Sequence, residues 1–115
     1  MLNKEQIKQV LRNLDICNLR IEKDDQKFIM PIHFKVEQQE SNFIFTLKGK
    51  LSSENIRFIE TNPNVVLEFI EHDGKVIRTV VALGAARIIS LKREPYQEVK
   101  IKAEVTQVAG RCYSR

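Results

Sequence analysis

The run Lys48-Gly49-Lys50-Leu51-Ser52-Ser53 brings two cations, two hydroxyls and a glycine together. Ser52 or Ser53 suits the N-cap of a short helix over Glu54 to Glu60, which Asn62-Pro63-Asn64 would stop. The run would then sit at a helix N-terminus, where the first N–H groups lack partners and carry the positive end of the helix dipole. Gly49 would let an anion approach the backbone closely. Helix N-terminus, lysines and hydroxyls together suit a phosphate. The same residues also suit a capped helix with two solvated lysines. Glu54, in the first helical turn, fits the dipole but competes with a phosphate for the same N–H groups.

Few other residues offer chemistry. His33 shares a strand face with Ile29, Pro31 and Lys35. It could hydrogen-bond a cofactor or move a proton near neutral pH, or be an exposed strand histidine. His72 adjoins Asp73-Gly74 and reads as a turn residue. Cys17 falls on the inward face of its strand, and Cys112 lies in the tail as a candidate exposed thiol. Two isolated histidines and two isolated cysteines provide no zinc spacing. No Gly-x-Ser-x-Gly, P-loop or dinucleotide glycine motif occurs. Any catalysis would rest on a bound cofactor.

Strands must position these residues. A leading helix spans about residues 3–14, capped by Asn3 with Gln6 three residues on, and striped by Ile7, Val10, Leu11 and Leu14. Alternating segments follow at 16–22, 27–36 and 43–48. Pro31 requires an edge or bulge in the second of them. After the short helix, Val65 to Glu71 is β-branched and apolar. Asp73-Gly74 turns the chain into a return strand from Val76, with Gly84 as a bulge or bend and pairing resuming to Leu91. Lys92 to Gln97 reads as a loop. Val99 to Thr106 alternates again, and the tail over 109–115 is expected to be loose. Six short antiparallel strands must close or be covered, which predicts a mainly β fold, a small six-stranded barrel with short helices.

At 115 residues the chain predicts one domain over 1–115. With 43% hydrophobic and 30% charged residues it reads as an ordinary globular sequence. Two cysteines are too few for a disulfide framework. No run approaches the roughly 20 apolar residues of a membrane helix. The N-terminus lacks the layout of a signal peptide, so the expected compartment is the cytoplasm. Nineteen Lys and Arg against fifteen Asp and Glu give a net charge of +4. The cations are dispersed, with denser clusters at Lys48-Gly49-Lys50 and in the stretch holding Lys100, Lys102, Arg111 and Arg115. Solvated strand faces account for this pattern better than a nucleic-acid patch, and no nucleic-acid partner is expected.

Three segments resemble a known family. Met30-Pro31-Ile32-His33-Phe34 is similar to the proline-containing second strand of the FMN-binding split barrels, the pyridoxamine 5′-phosphate oxidase superfamily. Asn55 to Val65 resembles its short helix, Asn-Pro stop and next strand, and Arg78 to Gly84 its fifth strand. The likeness runs over about residues 3–91 and is closest to the small general-stress and nitroimidazole-resistance relatives. It implies a six-stranded split barrel, a homodimer, and FMN in a groove between subunits. Carried over, Pro31, Ile32 and His33 would lie along the flavin ring. Thr46, Lys48, Lys50, Ser52 and Ser53 would surround the phosphate, and Arg78 and Thr79 would face the cofactor region. Where the oxidases have Ser-Arg-Lys, this chain has Ser53-Glu54-Asn55, and Val81 stands for a second arginine. Lys48 and Lys50 are then the cations left to serve, and pyridoxamine phosphate is not the expected substrate.

The resulting reading is an FMN-binding protein of two-electron redox chemistry acting on an unidentified small molecule. The alternative is a non-enzymatic barrel that binds a ligand or partner without flavin. A homodimer is also expected because Val65 to Ile70 and Val76 to Leu83 are apolar on both faces, as for strands buried twice.

Overall fold

The structure is a computed structural model that describes residues 1–40, 42–92 and 97–114. Ser41, residues 93–96, on which the expected loop falls, and Arg115 lie outside the described residues.

The chain starts with α1 (Lys4–Asn13). Asn3 accepts from the Gln6 backbone N–H while the Gln6 side chain accepts from the Asn3 N–H, a reciprocal cap. Ile7, Val10 and Leu11 face inward. Strands β1 (Ile16–Lys23), β2 (Gln26–Gln39) and β3 (Asn42–Lys50) follow as two hairpins. Next come α2 (Ser53–Thr61), β4 (Asn64–Asp73), β5 (Val76–Lys92) and β6 (Glu98–Ser114). All pairings are antiparallel, and the hydrogen-bonded order β1-β2-β3-β6-β5-β4 closes on itself as a ring. Closure between β1 and β4 is short, from Asn18 opposite Glu68 to Arg20 opposite Val66. The expected six-stranded barrel is therefore the fold found. Among the described residues no helix is long and apolar enough to cross a membrane.

Inward positions meet in one core. Phe34, Phe45 and Phe69 are buried, with Phe34 and Phe69 edge-on at 4.9 Å and Phe45 and Phe69 at 5.3 Å between centroids. Cys17 is buried among them as expected. Desolvation pushes its thiol pKa up to about 12, which keeps it protonated and unreactive.

Two expectations are corrected. The tail is not loose: residues 109–114 continue β6, with Arg78 opposite Cys112 and Val76 opposite Ser114. The long β5 supplies a ladder for them, and α1 crosses this stretch at Gly110. Leu2 N–H donates to the Gly110 carbonyl at 2.9 Å, and a Cβ on Gly110 would lie 2.9 Å from Leu2 Cδ1. Secondly, β2 runs to Gln39 instead of yielding to a turn at Glu37, because the reversal is compressed around Glu40, which has a φ of 53°. Within one chain, β4 and β5 are covered on one face. Val65, Leu67 and Phe69 point inward, whereas Ile70 (45%) and Val81 (40%) are exposed on the outer face. The bulge expected at Gly84 is present. The register shifts between Leu83 and Gly84, and a Cβ there would come within 2.3 Å of the Glu104 carbonyl oxygen.

Candidate functional site

β2 changes partners at His33. Residues up to His33 pair with β1, and His33 itself stands opposite Lys48, where the pairing with β3 begins. Beyond Lys48, β3 leaves β2 and runs on beside β6 to Lys50. The divergence opens a groove of about 580 Å³ between Met30–His33 on one side and Lys48–Lys50 with Glu98 on the other. Pro31 fits this edge. Phe34 N–H donates to the Asp15 carbonyl, on the β1 side. Backbone groups alternate sides along a strand, so those of odd residues in β2 face the groove. Pro31 has no N–H to leave unpaired there and presents only its carbonyl.

Two rows of cations cross the outer face at the foot of the groove. In the first, His33, Lys48, Lys100 and Ser90 stand side by side on β2, β3, β6 and β5. In the second, one step along the strands, the order is Lys35, Thr46, Lys102 and Arg87. A third row, Glu37, Ile44, Glu104 and Ala85, is acidic and ends the patch. Like charges placed directly across a sheet repel. Among the described residues, no ion pair engages Lys35, Arg87, Lys100 or Lys102. A hollow of about 310 Å³ lies at the β2–β3 end of the two rows, lined by Asp15, His33, Phe34, Lys35, Thr46, Lys48 and Lys100.

Glu98 is the acid of the groove. It pairs with Lys48 at 3.1 Å, and Lys50 and Lys92 stand opposite it in register. The hydrogen bond from Lys48 holds its carboxyl below the usual range, with the charges of Lys48, Lys92 and Lys50 adding to the effect.

The sequence-derived residues thus divide. Pro31, His33, Lys48 and Lys50 line the groove together with Ile32, whose side chain is buried. Thr46 joins the second row. Gly49 has a packing role, since a Cβ on it would lie 3.1 Å from Ile32 Cγ1. Ser52 is occupied as the α2 cap, accepting from Asn55 N–H at 3.1 Å. Ser53 accepts from Gln97 Nε2 at 2.8 Å. Both are exposed, and neither lines the groove. Arg78 and Thr79 lie at the far end of β5. Arg78 Nη1 donates to Glu71 and Asp73, each at 3.1 Å, and buried Glu71 also accepts from Asn13 at 2.7 Å. These bonds, Asp73 first, hold the Arg78 guanidinium more firmly protonated than usual. Within one chain, Arg78 ties α1 to the β4–β5 hairpin and does not meet the groove. The sequence reading missed Arg87, Ser90 and Glu98. It saw Lys100 and Lys102 only as a basic stretch, because their place opposite Lys48 and Thr46 depends on a β3–β6 register between segments distant in sequence.

No family model and no curated protein matches the sequence. Solved structures match its fold. An FAD-binding protein from Mesorhizobium loti is 19% identical, with a TM-score of 0.77 over 98% of this chain and 96% of that one. The FAD-binding protein from Mycobacterium smegmatis is 18% identical, with a TM-score of 0.74 over 97% of this chain and 98% of that one. A protein from Clostridium acetobutylicum, related to general stress protein 26 and of the pyridoxinephosphate oxidase family, is 9% identical, with a TM-score of 0.73 over 96% and 92%. The fold is the six-stranded split barrel that the sequence resemblance implied.

Proposed function

We propose that the chain binds a flavin nucleotide, with FMN as the minimal ligand, and supports two-electron redox chemistry on a small molecule. The observation that carries this reading is the pair Lys48 and Lys100, two like charges held opposite each other at the foot of a groove with an apolar wall. An anion at that point turns mutual repulsion into two charge-assisted contacts. The fold supports the reading, since it is shared with proteins described as FAD-binding.

The groove fits such a ligand. Met30 and the exposed Pro31 ring offer apolar contact to a flat ring, and the Pro31 carbonyl an acceptor for its edge. Lys48 and Lys100 would hold the phosphate, with Thr46 and Ser90 as hydroxyl donors. His33 stands beside Lys48 and can give or take a proton at the groove edge. The flavin, when bound, supplies the electron chemistry, and the chain supplies position and charge.

The exposed apolar face of β4 and β5, with Ile70, Val81 and Leu83, fits a second copy of the chain. Sedimentation at micromolar concentration tests this, and a stable monomer would refute it.

Absorbance of the purified protein and a titration with FMN test the function. Yellow protein with a flavin spectrum, or saturable uptake of FMN, is expected. Colourless protein that takes up neither FMN nor FAD would refute the reading and leave the alternative, a barrel that binds some other ligand or partner without flavin.

A further inference from the structure

The outer face of β1 and β4 carries an ion pair among exposed apolar side chains. Arg20 Nη1 meets Glu68 Oε1 at 2.8 Å, and both side chains are half-buried. Residues that share this face stand in two rows across β2, β1, β4 and β5. One row is Ile29, Arg20, Val66 and Leu83, and the other is Pro31, Asn18, Glu68 and Val81. Ile16 on β1 and Ile70 on β4 stand one step beyond the second row. Ile16, Ile29, Ile70, Val81 and Leu83 are all exposed.

Burial of the apolar residues favours association at this face whatever lies at its centre. The charges do not serve that purpose. Covering an ion pair costs desolvation, and apolar residues of similar volume would serve a purely hydrophobic contact as well or better. What a charged pair adds is selectivity, because a wrong partner or alignment sets like charges together. Arg20 also has donors to spare. Its Nε stands 3.7 Å from Glu22 Oε1 and, among the described residues, is a buried side-chain polar atom left without a hydrogen bond.

Opposite charges side by side make a surface that complements itself. In a two-fold contact each residue of one patch meets the residue related to it by the axis in the other. An axis lying in the face, between Arg20 and Glu68, brings Arg20 of each copy to Glu68 of the other. The four groups then form a ring of alternating charge, and the apolar residues around it exclude water. Resting on the reading that the β4–β5 face holds a second copy, we infer that Arg20 and Glu68 are the residues by which the chain selects its own kind and sets the alignment of the two subunits.

The test exchanges the two charges. In the double variant Arg20→Glu, Glu68→Arg each chain keeps its internal pair with the sign reversed. The variant should dimerise with itself as wild type does, since every pair across the interface is again opposite in sign. It should not join wild type, because a hybrid sets two arginines together and two glutamates together. Isotope-labelled wild type is mixed with the unlabelled variant, and native mass spectrometry counts the hybrids. Free exchange makes hybrids about half of all dimers, whereas selection by this pair leaves fewer than about one in ten. A neutral double variant, Arg20→Ala, Glu68→Ala, needs neither charge to fold and should mix with wild type at an intermediate fraction. If the exchanged or the neutral variant mixes freely with wild type, the pair acts only within a chain, and the inference is overturned while the dimer stands. If the exchanged variant folds but stays monomeric beside a dimeric wild type, the inference is overturned as well. If wild type is itself monomeric, both readings fall.

Discussion

Replacing Lys100 by glutamine should make the protein more stable and a poorer flavin binder. Lys100 is exposed, has Lys48 directly across on β3 and Lys102 two residues along β6. Two ammonium groups about 7 Å apart repel by about 0.6 kcal/mol in water, so two neighbours contribute about 1 kcal/mol before screening. Glu98, already engaged by Lys48, offsets part of this. The net gain on removing the charge is then a few tenths to about 1 kcal/mol. In a domain of this size that raises the melting temperature by about 1–4 °C. The gain should appear near 0.01 M salt, where the Debye length is about 30 Å, and vanish near 1 M, where it is about 3 Å.

Binding should move the other way. One charge-assisted contact to a phosphate is worth about 1.5–3 kcal/mol, and at an exposed site the lower figure applies, so FMN affinity should fall about tenfold. Riboflavin, without the phosphate, should bind both proteins alike. Thermal melts followed by circular dichroism at the two salt concentrations, with flavin fluorescence titrations, measure all three quantities. A variant that melts lower at low salt, or that holds FMN as tightly as wild type, would refute the view that Lys100 is uncompensated in the free protein and compensated by the ligand.

Two further outcomes follow from the same geometry. Glu98→Gln should raise FMN affinity about three- to tenfold by releasing Lys48 and removing a competing anion. Because the Glu98 carboxyl is held low, its stabilising pair is complete above the ordinary carboxylate range and is lost as pH falls through the depressed value; over that acid interval wild-type affinity should climb toward that of the variant, as titrations at stepped pH would show. Arg78→Ala should lower the melting temperature, by undocking Asn13 and α1 from Glu71, yet leave FMN affinity unchanged in a titration. A loss of FMN affinity there would place Arg78 at the cofactor after all, across a subunit boundary.

How far the sequence disclosed this structure depended on the range of the interactions. The Asn3–Gln6 cap, the Asp73-Gly74 hairpin and the bulge at Gly84 are local or nearly so, and each was legible from a few neighbouring residues. The groove wall was legible too, because Pro31 marks the edge where β2 has no partner on one side. The tail was not. Ala109 to Ser114 lacks clean alternation, and Gly110 is there to admit Leu2 and Ile7, which lie at the other end of the chain. The cations of the candidate site were half legible. Lys48 and Lys50 stood out beside the helix start, but Ser52 is consumed by capping, and the cations that stand beside Lys48 and Thr46 come from β5 and β6. The intrachain partners of Arg78 were illegible for a similar reason: its position on β5 was clear, whereas its neighbours Glu71, Asp73 and Asn13 are set by the hairpin register and the docking of α1.

The two charge clusters show why one reads as structure and the other as function. Arg78 carries a charge beside a buried carboxylate, and the fold answers it fully. Two acids accept from it, and Asn13 satisfies the remaining oxygen of Glu71. Removing Arg78 or Asn13 strips buried Glu71 of one of its two partners, and losing such a partner is the penalty that keeps these networks intact. On the other side, Lys35, Arg87, Lys100 and Lys102 stand together although two acids, Glu37 and Glu104, lie one row away on the same strands. An exchange of Glu104 with Lys102 on β6 would pair a carboxylate with Arg87 at no cost in strand pattern or core volume, since both positions point outward. Folding therefore does not call for the separation of charge seen on this face. The proposed nucleotide, bringing negative charge to this face, would call for it and would gain from the repulsion that the free protein carries.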